Sequence, residues 1–131
     1  MFVEKITPEL ALKEANDYAD KKNLLPSRRA MLQPAVNTLA EAIQYGICAI
    51  LDDGSISHVL VSPVLSLTTI DYKPRLKPLD VKNEIAKIKQ DSISDRTGVY
   101  LKLLTGLTVT EINSLEPTDS SIAEAISLFF W

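Results

Sequence analysis

The stretch Ile47-Cys48-Ala49-Ile50-Leu51-Asp52-Asp53-Gly54-Ser55-Ile56-Ser57-His58-Val59-Leu60-Val61 decides the architecture. Two short β-branched runs flank an Asp-Gly pair, and Asp-Gly supplies the positive φ angles of a tight hairpin turn. Further on, Leu65, Leu67 and Thr69 alternate with other residues. That spacing allows a third strand to about Tyr72, bracketed by Pro63 and Pro74.

On both sides of this region the period becomes helical. Upstream, Thr7 suits an N-cap and Pro8 a first helical position. Ala11, Ala15, Tyr18 and Ala19 then share a face to about Lys22. Those residues are small, so the helix packs either closely or weakly. A second helix starts at Pro26-Ser27 and carries Leu32, Val36, Leu39 and Ile43 on one face. Pro34 either kinks it or marks its true first turn, leaving 27–32 as a separate piece. Gly46 stops it.

Downstream, Val81, Ile85 and Ile88 predict a helix over about 79–90, broken at Asp91-Ser92. Tyr100, Leu103, Leu104 and Leu107 predict another over 94–105, stopped by Gly106. Thr108 and Glu111 form a capping box for a short helix over 109–115. Asp119 or Ser121 is expected to cap the last helix, where Ile122, Ile126, Phe129 and Phe130 share a face. The expected fold is mainly α (α+β): about six helices around a small antiparallel hairpin or meander near residues 47–72. The 131 residues, 46% hydrophobic, fit one domain with one core. It divides into a helical part at 1–46, the meander, and a helical part at 78–131.

No stretch approaches the roughly 20 apolar residues that cross a bilayer. The start, Met1-Phe2-Val3-Glu4, lacks a signal-peptide pattern, so a cytoplasmic location is expected. One cysteine, Cys48, excludes an internal disulfide and reads as a small buried hydrophobe. One histidine, His58, excludes a histidine-rich metal site and reads as a partly exposed or satisfied hairpin residue. Asp52-Asp53 reads as a turn rather than a cation site. No phosphate loop, nucleophile elbow or Cys-x-x-Cys pair occurs, so no enzyme, cofactor or metal is expected.

Charge is segregated along the chain. Residues 30–72 hold no Lys or Arg. Residues 73–89 hold Lys73, Arg75, Lys77, Lys82, Lys87 and Lys89 against Asp80 and Glu84, a net of +4. Beyond Lys102 come only Glu111, Glu116, Asp119 and Glu124 among charged side chains, a net of −4. Such runs are commonly solvated faces. The sharper reading is a basic patch meeting an acidic patch on the next subunit, which builds rings or spirals. Tyr72, Lys73, Arg75, Lys77, Glu116, Asp119 and Glu124 are the candidates for that contact. Tyr72 alone accompanies the lysines as an aromatic, and the whole chain carries −3, so nucleic acid is not an expected partner.

The sequence finishes Phe129-Phe130-Trp131. The first expectation is a final helix docked on the core with two of the three rings buried. Because a helical face cannot bury three consecutive residues equally, the alternative is that at least one ring is free to meet a neighbour. All three are candidate client-binding residues.

Residues from about His58 to Phe130 resemble the tail assembly chaperones of long-tailed bacteriophages. The resemblance runs through Ser62-Pro63-Val64, then Tyr72-Lys73-Pro74-Arg75-Leu76 and a helix leading to Asp91. Tyr100-Leu101-Lys102-Leu103-Leu104-Thr105-Gly106 and Glu111-Ile112 follow, then Leu115, Asp119 and Phe129-Phe130. The first 45 residues match no pattern of that family. The resemblance implies a non-enzymatic protein of the host cell cytoplasm, absent from the mature virion. It also implies that the chain self-associates and coats the tape measure protein until the tail tube polymerises. A frameshifted longer form of the chain and the tail tube protein are further implied partners. The alternative from another class is a structural virion protein, such as a head–tail connector or tail completion subunit. A small carboxylate-using enzyme is the third reading, and its mark would be a pocket with strongly raised carboxylate pKa values.

Overall fold

The computed structural model describes residues 2–88 and 93–131. Seven helices and one three-stranded sheet form among them: α1 (Pro8–Asp20), α2 (Pro26–Met31), α3 (Gln33–Gln44), β1 (Cys48–Ile50), β2 (Ile56–Val64), β3 (Leu67–Tyr72), α4 (Pro78–Ile85), α5 (Ile93–Thr105), α6 (Val109–Asn113) and α7 (Pro117–Leu128). The mainly helical α+β expectation holds. The predicted break at Asp91-Ser92 and the reach of α4 to residue 90 lie outside the described residues.

Proline punctuates most of these starts. α1, α2, α3, α4 and α7 each carry Pro in the first two positions, where the missing N–H had no helical partner to lose. Pro34 therefore opens a helix of its own, and 26–31 is a separate turn, which raises the helix number from six to seven. The N-terminal helices join the same core as the rest. Ala11, Ala15 and Ala19 of α1 are fully buried, so α1 packs closely on α3 rather than weakly. Arg29 pins the corner, donating to Asp20, Gln33 and Asn16. Arg28 donates at 2.8 Å to the Leu128 carbonyl, satisfying one acceptor at the end of α7.

The sheet is antiparallel in the order β1-β2-β3. The Asp-Gly hairpin is present, but as a five-residue loop rather than a tight turn, since Ile50 pairs with Ile56. Only Gly54 of that loop has positive φ, at 87°. The Asp53 carboxylate accepts from both the N–H and the hydroxyl of Ser55. The tight turn lies elsewhere. Val64 pairs with Leu67, and the two residues between them, Leu65 and Ser66, have φ of 47° and 68°. Positive φ at both central positions is the hairpin geometry that favours Asn-Gly. Leu65 in that region carries a steric cost. Leu65→Asn together with Ser66→Gly is expected to stabilise the fold by about 1 kcal/mol. A urea midpoint at or below wild type would contradict this.

Between Val59 and Val64 the β2–β3 register shifts, and this irregularity sets the strand parity. Leu65 is turn, not strand, and Pro63 lies inside β2. β3 turns Ile70 and Tyr72 inward and leaves Thr69 exposed, opposite to the 65/67/69 stripe read from sequence. β2 buries Ile56, His58 and Leu60 and leaves Val59 and Val61 on the outer face.

Candidate functional site

Two features of this fold gather the chemically distinctive residues. The first is interior. His58 projects inward from β2 and Tyr72 from β3, and their rings stack at 6.0 Å. The Tyr72 hydroxyl lies 3.0 Å from His58 Nδ1, and Asp119 Oδ1 lies 3.0 Å from His58 Nε2. All three side chains are sealed from solvent at 1% exposure or less. Asp119 is not the cap of α7. Glu116 holds that position and Pro117 opens the helix, which turns Asp119 in the first turn toward the sheet.

Its carboxylate completes β2. The β1 ladder ends where Val59 N donates to the Ile47 carbonyl. Beyond that point Val61 N donates to Asp119 Oδ1 at 2.9 Å and Ser62 N to Oδ2 at 3.0 Å. The carboxylate thus replaces a missing strand. It accepts three N–H groups at the positive end of α7, which offsets its desolvation.

Burial holds the His58 pKa below its ordinary 6.5, against the opposing pull of Asp119. The neutral ring satisfies the whole network: Nε2–H donates to Asp119, and Nδ1 accepts from the Tyr72 hydroxyl. Burial pushes the Tyr72 hydroxyl pKa well up, and it pushes the Cys48 thiol, across the ladder from His58, up to about 12. Cys48 is a buried hydrophobe, as expected. A pH dependence follows from His58. The unfolded ring takes its proton near 6.5, the native ring only at lower pH. Stability is therefore expected to fall as pH drops below about 6.5 toward the native value. His58→Gln should flatten that loss; urea titrations at pH 7.5 and 5.5 giving equal slopes for both proteins would refute it.

The second feature is a surface groove of 790 Å³ between the end of α1, α4, α5 and the end of α7. Phe129, Phe130 and Trp131 all reach it, as does Arg75. α7 ends at Leu128, so Phe129, Phe130 and Trp131 lie just past the helix rather than on the helical face expected of Phe129 and Phe130, and their burial is unequal. Phe129 is 4% exposed and packs edge-on against Tyr18 at 5.2 Å. Phe130 and Trp131 are half-buried. Lys22 lies 4.0 Å over the Phe130 ring, and Trp131 stacks on Tyr100 at 5.6 Å with Arg96 beside it. Trp131 Nε1 and Arg96 Nε are buried donors without a partner among the described residues.

The proposed subunit-contact residues separate. Lys73, Arg75, Lys77, Glu116 and Glu124 are exposed. Tyr72 and Asp119 are interior and present no surface to a neighbour, because the β2–β3 register sets Tyr72 opposite the buried Ile56 and the start of α7 at Pro117 turns Asp119 toward the sheet. Glu111 is engaged in the capping box of α6. The −4 segment therefore offers two free exposed carboxylates, Glu116 and Glu124, rather than a dense acidic patch.

Among the described residues no three His, Cys, Asp or Glu side chains converge to hold a metal, and no helix is long and apolar enough to cross a membrane. Compared with known protein families, curated proteins and solved structures, the chain has no match. Fold and groove together define a small α+β scaffold presenting an aromatic, cation-rimmed surface.

Proposed function

We propose that the chain is a non-enzymatic tail assembly chaperone of a long-tailed bacteriophage, acting in the host cytoplasm and absent from the finished particle. In this reading it self-associates and holds the tape measure protein soluble until the tail tube polymerises around it. The observation that carries the proposal is the groove in which Phe130 and Trp131 lie half-buried, on the same face as Arg75. A holding protein needs an open apolar surface that is weak at each contact and repeated along the client. The one conspicuous acid–base cluster, His58-Tyr72-Asp119, is sealed from solvent and fully hydrogen-bonded within itself, which fits a structural role.

The test is co-expression of this chain with the longest helical protein encoded just downstream. Soluble co-purification of a prey that is insoluble alone is the expected result. A prey that stays insoluble, with this chain recovered in purified particles, would replace the proposal with a structural virion subunit.

A further inference from the structure

Five cations line the groove: Lys21, Lys22, Arg75, Lys82 and Arg96. None of them forms an ion pair with another described residue. No Asp or Glu side chain among the described residues lines the groove. Its apolar lining includes Leu76, Val81, Ile85, Phe130 and Trp131. Lys22 is partly withdrawn from water over two rings, 4.0 Å from the Phe130 centroid and 4.9 Å from that of Tyr18. A cation in that position gains more from a carboxylate than one in bulk water would.

We propose that this groove binds an acidic amphipathic helix of a partner protein, its apolar stripe on the apolar lining and its Asp or Glu side chains on the five lining cations. This rests on reading the groove as the holding surface and specifies the client segment it holds. The walls decide between helix and strand. They are mostly helical, with backbone groups already paired, and the extended piece Arg75-Leu76 lies between Pro74 and Pro78, which have no N–H, so it is too short to carry a ladder. A strand would find no ladder to join, whereas a helix brings its own backbone bonds satisfied.

Trp131 is the sole tryptophan, so its emission reports occupancy of the groove directly. The probes are three synthetic helical peptides of about 20 residues, long enough to hold a helix. One has a Leu stripe flanked by Glu, one the same stripe flanked by Lys, and one the acidic composition scrambled. The acidic amphipathic peptide should shift Trp131 emission saturably and weaken with added salt. The Lys twin and the scrambled peptide should bind at least about tenfold more weakly. Arg75→Glu with Lys82→Glu should weaken the acidic peptide about tenfold and strengthen the Lys twin, a swap that mere unfolding cannot produce. Equal binding of acidic and basic peptides, or binding of neither, overturns the proposal. So does an oligomer of this chain that the double variant dissolves without any peptide binding, since a second copy would then be the occupant. The two readings separate cleanly. Client capture without acidic-peptide binding removes the groove chemistry and keeps the chaperone; peptide binding without client capture does the reverse.

Discussion

Asp119→Ala is expected to destabilise the fold by about 3–5 kcal/mol, a large part of the roughly 5–15 kcal/mol that holds a domain of this size. The substitution removes the acceptor of three donors at once: His58 Nε2–H, Val61 N–H and Ser62 N–H. Each buried donor left unpaired costs about 1–3 kcal/mol. The methyl group of alanine reaches none of them. Urea denaturation measures the loss directly. Glu116→Ala is the control, because Glu116 is exposed and its side chain caps nothing; it should stay within about 0.5 kcal/mol of wild type. Adding His58→Gln to Asp119→Ala should cost less than the two changes separately, since the pair shares one bond. An Asp119→Ala protein within 1 kcal/mol of wild type, on that ~3–5 kcal/mol scale, would show that the carboxylate does not hold β2.

The second large effect belongs to Phe129. At 4% exposure and edge-on to Tyr18, its ring is core rather than contact surface. Phe129→Ala should cost about 3–5 kcal/mol through the cavity it leaves. Phe130→Ala and Trp131→Ala remove half-buried rings and should each cost less than about 1.5 kcal/mol. Thermal or urea unfolding of the three variants ranks them. The ranking matters for function, because lost client capture by Phe129→Ala would report unfolding. Trp131→Ala is the variant that reports binding. If Phe129→Ala proves as mild as Trp131→Ala, the division of the aromatics between core and groove is wrong.

The helices were legible because their signals are local. Thr7-Pro8, Pro26 and Pro78 mark starts, and Thr108 and Glu111 pair as a capping box in both directions. The three aromatics are unequally buried as expected, one buried and two half-buried, although they lie past the end of α7 rather than on its face. The failures came from features with no local signal. Neither the Leu65-Ser66 turn nor the register shift between Val59 and Val64 has a local signal, so Tyr72, which lies opposite Ile56 in the interior, was read as a surface contact. Asp119 looks like a cap by residue type. Its true role is set by backbone groups 57 and 58 positions earlier. A usable signal did exist for His58: it lies between Ile56 and Leu60 at period two, in the inward register. The groove left no trace in the sequence, because segments around residues 21–24, 74–85, 96–100 and 129–131 build it together.

The carboxylate that stands in for a missing strand also sets a clock on biosynthesis. A ribosome delivers β2 well before residue 119, so the emerging sheet carries two open N–H groups and an unpaired imidazole until α7 follows. Arg28 waits longer still for its carbonyl at Leu128. The nascent chain therefore gains these contacts only as α7 clears the exit tunnel, and a product released before α7 is made keeps a raw sheet edge open to aggregation.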